Sequence, residues 1–176
     1  VAMRRAGLML EGAQLAVSAA SHQGTPQHIA LVEAILAGAG LGPDTLQCPV
    51  AWPGNAAARA EAQAKGETET RLAFNCSGKH AAFLAACVAA GFDTETYLNA
   101  DHPLQKLVEK VIEEYSGEKI LHTTIDGCGA PLHTITVEGL ARAIAMFTAT
   151  DTEVVDAMLA NPWAVGDTSS MDALVM

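Results

Sequence analysis

The chain has 176 residues, half of them apolar, and a formal net charge of −10. That length suits a single domain with a sizeable core. The acidic balance argues against nucleic acid or an anionic membrane as a partner, since both need a basic face, and no stretch approaches the roughly 20 uninterrupted apolar residues of a membrane span.

In chain order, Val1 to Ala6 reads as the tail of a helix ended by Gly7, without a signal-peptide pattern. Glu11 to Ala20 is a short helical run with Leu15 and Val17 buried. A loop, Ser21-His22-Gln23-Gly24-Thr25-Pro26, leads into a strong helix capped by Thr25 with Pro26 at its first position. Ile29, Val32, Ile35 and Leu36 form its apolar stripe, and Gly38-Ala39-Gly40 ends it. Residues 41–55 contain Pro43, Pro49, Pro53 and Gly54 and read as irregular. Ala56 to Lys65 is an Ala-rich helix, followed by a polar connector from Gly66 to Thr70.

The next stretch organises the chain. Asn75-Cys76-Ser77-Gly78-Lys79-His80 opens an Ala- and Leu-rich helix that Gly91 closes. Asn75 or Ser77 serves as its cap, and Phe83, Leu84 and Val88 are expected to bury it. Beyond it, Thr94 to Asn99 suggests one helical turn. Asp101 is expected to cap a helix from about Pro103 to Ser116-Gly117, with Leu104, Leu107, Val108, Val111 and Ile112 at helical spacing. Ile120 to Ile125 has strand composition and pairs with Thr134 to Val137 around the turn Asp126-Gly127-Cys128-Gly129-Ala130-Pro131. Helices follow over Val137 to Phe147 and Thr152 to Ala160, and the tail from Gly166 to Met176 is mixed. The fold class is α+β, several helices with one small sheet.

Three stretches carry candidate chemistry. Cys76 stands at a helix N-terminus, where the dipole favours a thiolate, and Lys79 lies three residues on. The pair suits a nucleophile or metal ligands, and equally a buried cysteine beside a solvated lysine. Cys128, between two glycines, could meet Cys76 across a pocket and share one zinc ion, or sit incidentally in a tight hairpin turn. Ser21 and His22 are adjacent, so their side chains diverge and they form no triad. The remaining histidines lack HExxH or HxH spacing. The four cysteines include no CxxC pair and read as reduced thiols in a cytosolic protein.

Taken together, Ala20-Ser21-His22-x-Gly24, Asn75-Cys76-Ser77-Gly78-Lys79-His80 and Asp126-Gly127-Cys128-Gly129-Ala130-Pro131 resemble the rhizobial-type (class 3, asparaginase II) L-asparaginases, in order and spacing, along essentially the whole chain. The resemblance implies hydrolysis of L-asparagine to L-aspartate and ammonia by serine–lysine nucleophilic catalysis beside a zinc site. It also implies a fold similar to serine β-lactamases and glutaminases, and a cytoplasmic homodimer. Cys76, Lys79 and Cys128 match the zinc ligands, Asp126 an acidic residue beside them, and Ser21 the serine of the second serine–lysine pair. A lysine that binds zinc does so as the neutral amine.

The sequence departs from the family at its start. Members carry an Arg-Ser-x-x-Lys-Pro motif, whose serine and lysine the resemblance makes the leading nucleophile and base, whereas this chain opens with Val1-Ala2-Met3, similar to the residues just after it. The lysine partner of Ser21 is expected beyond Met176. The 176 residues therefore read as one domain, an internal portion of a longer amidohydrolase, incomplete for catalysis by itself and with its sheet completed by further segments. Two alternatives stand beside this reading. One is a zinc-stapled binding module without catalysis. The other is a β-lactamase-like acylase acting on another amide.

Overall fold

The computed structural model describes residues 1–168 and 170–175. Its helices are α1 (Ala2–Arg5), α2 (Gly12–Ser18), α3 (Pro26–Gly38), α4 (Ala56–Ala64), α5 (Ser77–Ala90), α6 (Pro103–Ser116), α7 (Val137–Thr150), α8 (Thr152–Ala160), α9 (Pro162–Val165) and α10 (Met171–Val175). One antiparallel hairpin, β1 (His122–Ile125) with β2 (Pro131–Thr134), makes the sheet among the described residues. The class is α+β, as the sequence predicts.

Helix α5 forms the centre. It packs against α2 and α3, and more lightly against α1 and α6. Phe83, Leu84 and Cys87 are buried on it, together with Val17, Val32, Ile35, Leu36, Leu46, Tyr97 and Leu104 from its neighbours. Val88 departs from expectation and is 44% exposed. It lies five residues from Phe83, about 140° around the helix, whereas Leu84 and Cys87 share Phe83's side. The helix ends as predicted, with Gly91 in the left-handed conformation (φ +69°).

The start of α3 follows the sequence closely. Thr25 accepts from the His28 backbone N–H, and the His28 ring returns a bond to Thr25, closing a capping box behind Pro26. Other boundaries shift. The segment 94–99 contains turns and bends but no helix. Helix α6 is capped by His102, not Asp101. The His102 Nδ1 accepts from the Leu104 N–H at 3.1 Å while its Nε2 reaches the Asp93 carbonyl at 2.9 Å, whereas Asp101 projects into solvent and pairs with Lys106.

The hairpin closes earlier than predicted. Asp126 N–H donates to the Ala130 carbonyl at 2.8 Å, so Ile125 pairs with Pro131 and His122 with Thr134. Thr136 is thereby free to cap α7, accepting from the Gly139 N–H at 2.9 Å. The apolar side chains Val137, Leu140 and Ile144 of α7 and Leu132 of β2 remain exposed. Together with α6 they line a groove of about 620 Å³.

Candidate functional site

Two approaches of backbone to backbone assemble the site. Gly78, in the first turn of α5, leaves no room for a Cβ, which would stand 2.5 Å from the Val17 carbonyl oxygen of α2. Gly24 (φ +64°) likewise faces the Ala73 carbonyl, where a Cβ would stand at 2.5 Å. These contacts press the loop after α2, which carries Ser21, against the loop that opens α5.

The cap of α5 differs from either predicted residue. Cys76 occupies the N-cap position and makes no side-chain capping bond. Ser77 turns inward instead, donating to the Leu72 carbonyl at 2.8 Å, and Asn75 is exposed. The first-turn N–H groups therefore face the region of Cys76 without a side-chain acceptor from that residue.

Lys79 and Cys128 meet in the structure. The Lys79 Nζ lies 3.2 Å from the Cys128 Sγ and 3.8 Å from Asp126 Oδ2. Cys128 itself reaches Asp126 Oδ2 at 3.2 Å and lies close enough to Cys76 to act on its thiol. The bond from Cys128 and a second from the Gly127 N–H hold the Asp126 carboxyl below its usual range, with Lys79 adding to the effect. Cys76 behaves differently from expectation. Burial pushes its thiol up, and Lys79 opposes this only in part; the helix end does not by itself make the thiolate the favoured form.

Ser21, Cys76 and Lys79 line one groove of about 410 Å³, walled by apolar side chains of α1, α5 and α6, among them Met3, Phe83, Val108 and Ile112. Cys128 and Asp126 stand beside it, reached through Lys79. Among the described residues, no three His, Cys, Asp or Glu side chains converge on a point that could hold a metal ion. The donor set at this place is two thiols and the amine of Lys79, a mixture whose soft sulfurs and single nitrogen suit zinc. Cys48 and Cys87 are buried, which pushes both thiols up to about 11, and all four cysteines are free.

Sequence reasoning missed the partner of His22. Its Nε2 lies 2.9 Å from the Ser77 Oγ, 55 positions away, a contact that no local spacing announces. It also missed the pair His80 and Tyr97, whose Nδ1 and hydroxyl are 2.7 Å apart in the core. Burial of His80 lowers its pKa to about 4. Among the described residues, no helix is long and apolar enough to cross a membrane.

Residues 1–176 match the family model described as L-asparaginase II. No curated protein matches the chain.

Proposed function

The chain belongs to the L-asparaginase II family, and from that premise we propose that it acts in the hydrolysis of L-asparagine to L-aspartate and ammonia by serine–lysine catalysis, with Ser21 as the serine of the second serine–lysine pair. The observation that carries the reading is the shared groove, which exposed Ser21 lines together with Cys76 and Lys79. In the proposed step a serine Oγ attacks the side-chain amide carbon and its proton passes to the lysine paired with it. The C–N bond then breaks as the nitrogen is protonated and leaves as ammonia. Water cleaves the resulting ester, releasing aspartate and restoring the hydroxyl. Lys79 is already engaged with Cys128 and Asp126, so it is not assigned as that base.

Cys76, Lys79 and Cys128 would hold zinc, and Asp126 would orient Cys128 and Lys79 from outside the donor set. The metal, when bound, supplies a Lewis acid beside the groove. The chain's own residues do the rest. Apolar Phe83, Val108 and Ile112 line the groove, and the N-terminal end of α5 favours negative charge near Cys76. The proposal extends to a cytoplasmic homodimer acting on a small-molecule substrate.

Ammonia release from L-asparagine, read by a coupled dehydrogenase assay with L-glutamine as comparator, tests it. Ser21→Ala is expected to lower turnover by several orders of magnitude, on the scale seen when one member of a catalytic unit is removed, while circular dichroism stays unchanged. Absence of ammonia release in the zinc-loaded protein extended to include its serine–lysine partners, or full turnover in Ser21→Ala of that protein, would refute it.

A further inference from the structure

His22 and Ser77 first suggest a base and its nucleophile, with Nε2 and Oγ 2.9 Å apart and both side chains buried. The direction of the hydrogen bonds excludes this. The Gly24 backbone N–H donates to His22 Nδ1 at 3.0 Å. A backbone N–H can only donate, so Nδ1 carries the lone pair and the neutral ring has its proton on Nε2. That proton goes to Ser77 Oγ, whose own proton goes to the Leu72 carbonyl at 2.8 Å. Ser77 is therefore an acceptor from His22, and His22 cannot take a proton from it. Burial keeps the ring neutral, lowering its pKa to about 3, and the neighbouring His28 adds to the effect.

A second link runs through the backbone. His22 N–H donates to the Asn75 carbonyl at 3.1 Å. One residue thus grips the chain on both sides of Cys76, at Asn75 and at Ser77. The grip is itself held from behind. The His28 ring stacks on His22 at 5.1 Å between centroids with an 18° interplanar angle, and its Nε2 lies 2.8 Å from the Trp163 carbonyl. Ser21, adjacent to His22, is exposed in the groove that Cys76 and Lys79 also line.

We infer that His22 is a positioning residue, which fixes the Ser21 hydroxyl relative to the Cys76–Lys79–Cys128 cluster by tying its loop to Asn75 and Ser77. The inference rests on the asparaginase reading for the role of Ser21; the link itself is a matter of geometry.

Three variants separate the two ends of the ring. His22→Asn keeps an acceptor for the Gly24 N–H but falls short of Ser77. His22→Gln places an amide N–H where Nε2 stood and reaches Ser77. Ser77→Ala removes the other partner and only one oxygen, so it carries the comparison should His22→Asn unfold. Asparagine turnover is expected to drop on the order of 100-fold in kcat in His22→Asn and Ser77→Ala, the scale of a misplacement of about 1 Å, with KM changed little and activity largely restored in His22→Gln. Alkylation of Cys76 by iodoacetamide in metal-free protein, followed by peptide mass spectrometry, reads the same link without turnover. It should accelerate several-fold in the two weakened variants and return toward wild type in His22→Gln. Nitrogen-15 spectra of the labelled imidazole should show the Nε2–H tautomer.

If the wild type hydrolyses asparagine while His22→Asn and Ser77→Ala match it in kcat and in alkylation, the inference is overturned and the asparaginase reading stands. A His22→Gln variant no better than His22→Asn, or an Nδ1–H tautomer, also overturns it. If the wild type releases no ammonia, the asparaginase reading falls. Equal alkylation rates would then overturn the link as well, and faster rates in the weakened variants would uphold it.

Discussion

Gly78→Ala tests how the site is held together. Gly78 is the second residue of α5, and the added Cβ would lie 2.5 Å from the Val17 carbonyl oxygen and 3.2 Å from Val17 Cγ2. The nearer atom is backbone in a buried helix and cannot rotate away, so α5 must move off α2. Overpacking of this kind costs about 1–3 kcal/mol, and a backbone contact places it at the upper end. Alanine returns about 1 kcal/mol of helix propensity. The net expectation is a loss of about 2 kcal/mol. With a urea m-value of about 2 kcal/mol/M, the midpoint falls by about 1 M. Gly38→Ala is the comparator. Gly38 ends α3 with nothing within 4 Å of its would-be Cβ, so the same exchange there should stabilise by a few tenths to about 1 kcal/mol. Zinc affinity, measured by competition with a chromophoric chelator, should fall in Gly78→Ala alone, because the displaced turn carries Cys76 and Lys79. A Gly78→Ala midpoint at or above wild type would refute the argument that this glycine is required by the approach of α5 to α2.

Three further outcomes follow from the same structure. Phe83→Ala should cost about 3–5 kcal/mol in urea unfolding, as for other buried phenylalanines, while Val88→Ala, on the exposed side of α5, should stay within about 0.5 kcal/mol; equal losses would contradict the burial described for α5. Burial lowers the pKa of His22 to about 3 and that of His28 below its ordinary value. Below about pH 6.5 the unfolded chain takes up protons that the folded chain refuses, so stability present at pH 7 is lost as pH falls, by up to about 1.4 kcal/mol per unit per histidine. Urea titrations of metal-free protein between pH 7 and 5 should show this decline, lessened in His22→Gln; a flat profile would refute it. Zinc content by mass spectrometry should approach one ion per chain and be lost in Cys128→Ser, whereas Asp126→Asn should keep the stoichiometry with affinity weakened about 10–100-fold; full zinc in Cys128→Ser would remove that thiol from the donor set.

Local signals in the sequence were enough wherever one segment decides its own geometry. Thr25-Pro26 set the start of α3 and Gly91 the end of α5, because a cap or a left-handed residue acts on backbone groups a few positions away. The motif residues Cys76, Lys79, Cys128 and Asp126 were joined into one set by the family resemblance of their motifs, residue type alone leaving both cysteines open to an incidental reading. Their meeting is tertiary: Lys79 and Cys128 are 49 positions apart and come within 3.2 Å only because the hairpin turn lies over the first turn of α5. Competition among several candidate partners was also decided there. His102 displaced Asp101 as a cap because its second nitrogen reaches Asp93. The inward turn of Ser77 was settled by the Leu72 carbonyl and the His22 ring.

What the sequence determined by itself was the helix-rich α+β class and most helix boundaries, since these follow from periodicity and caps along one segment, while its motifs, by their family resemblance, named the candidate groups. Only the tertiary structure decided that Ser21, Cys76 and Lys79 open on one groove, that burial raises the Cys76 thiol, and that His22 donates to Ser77. Each of these depends on which distant backbone comes close. In this chain Gly24 and Gly78 permit that approach by having no side chain, and the sequence does not show what they make room for.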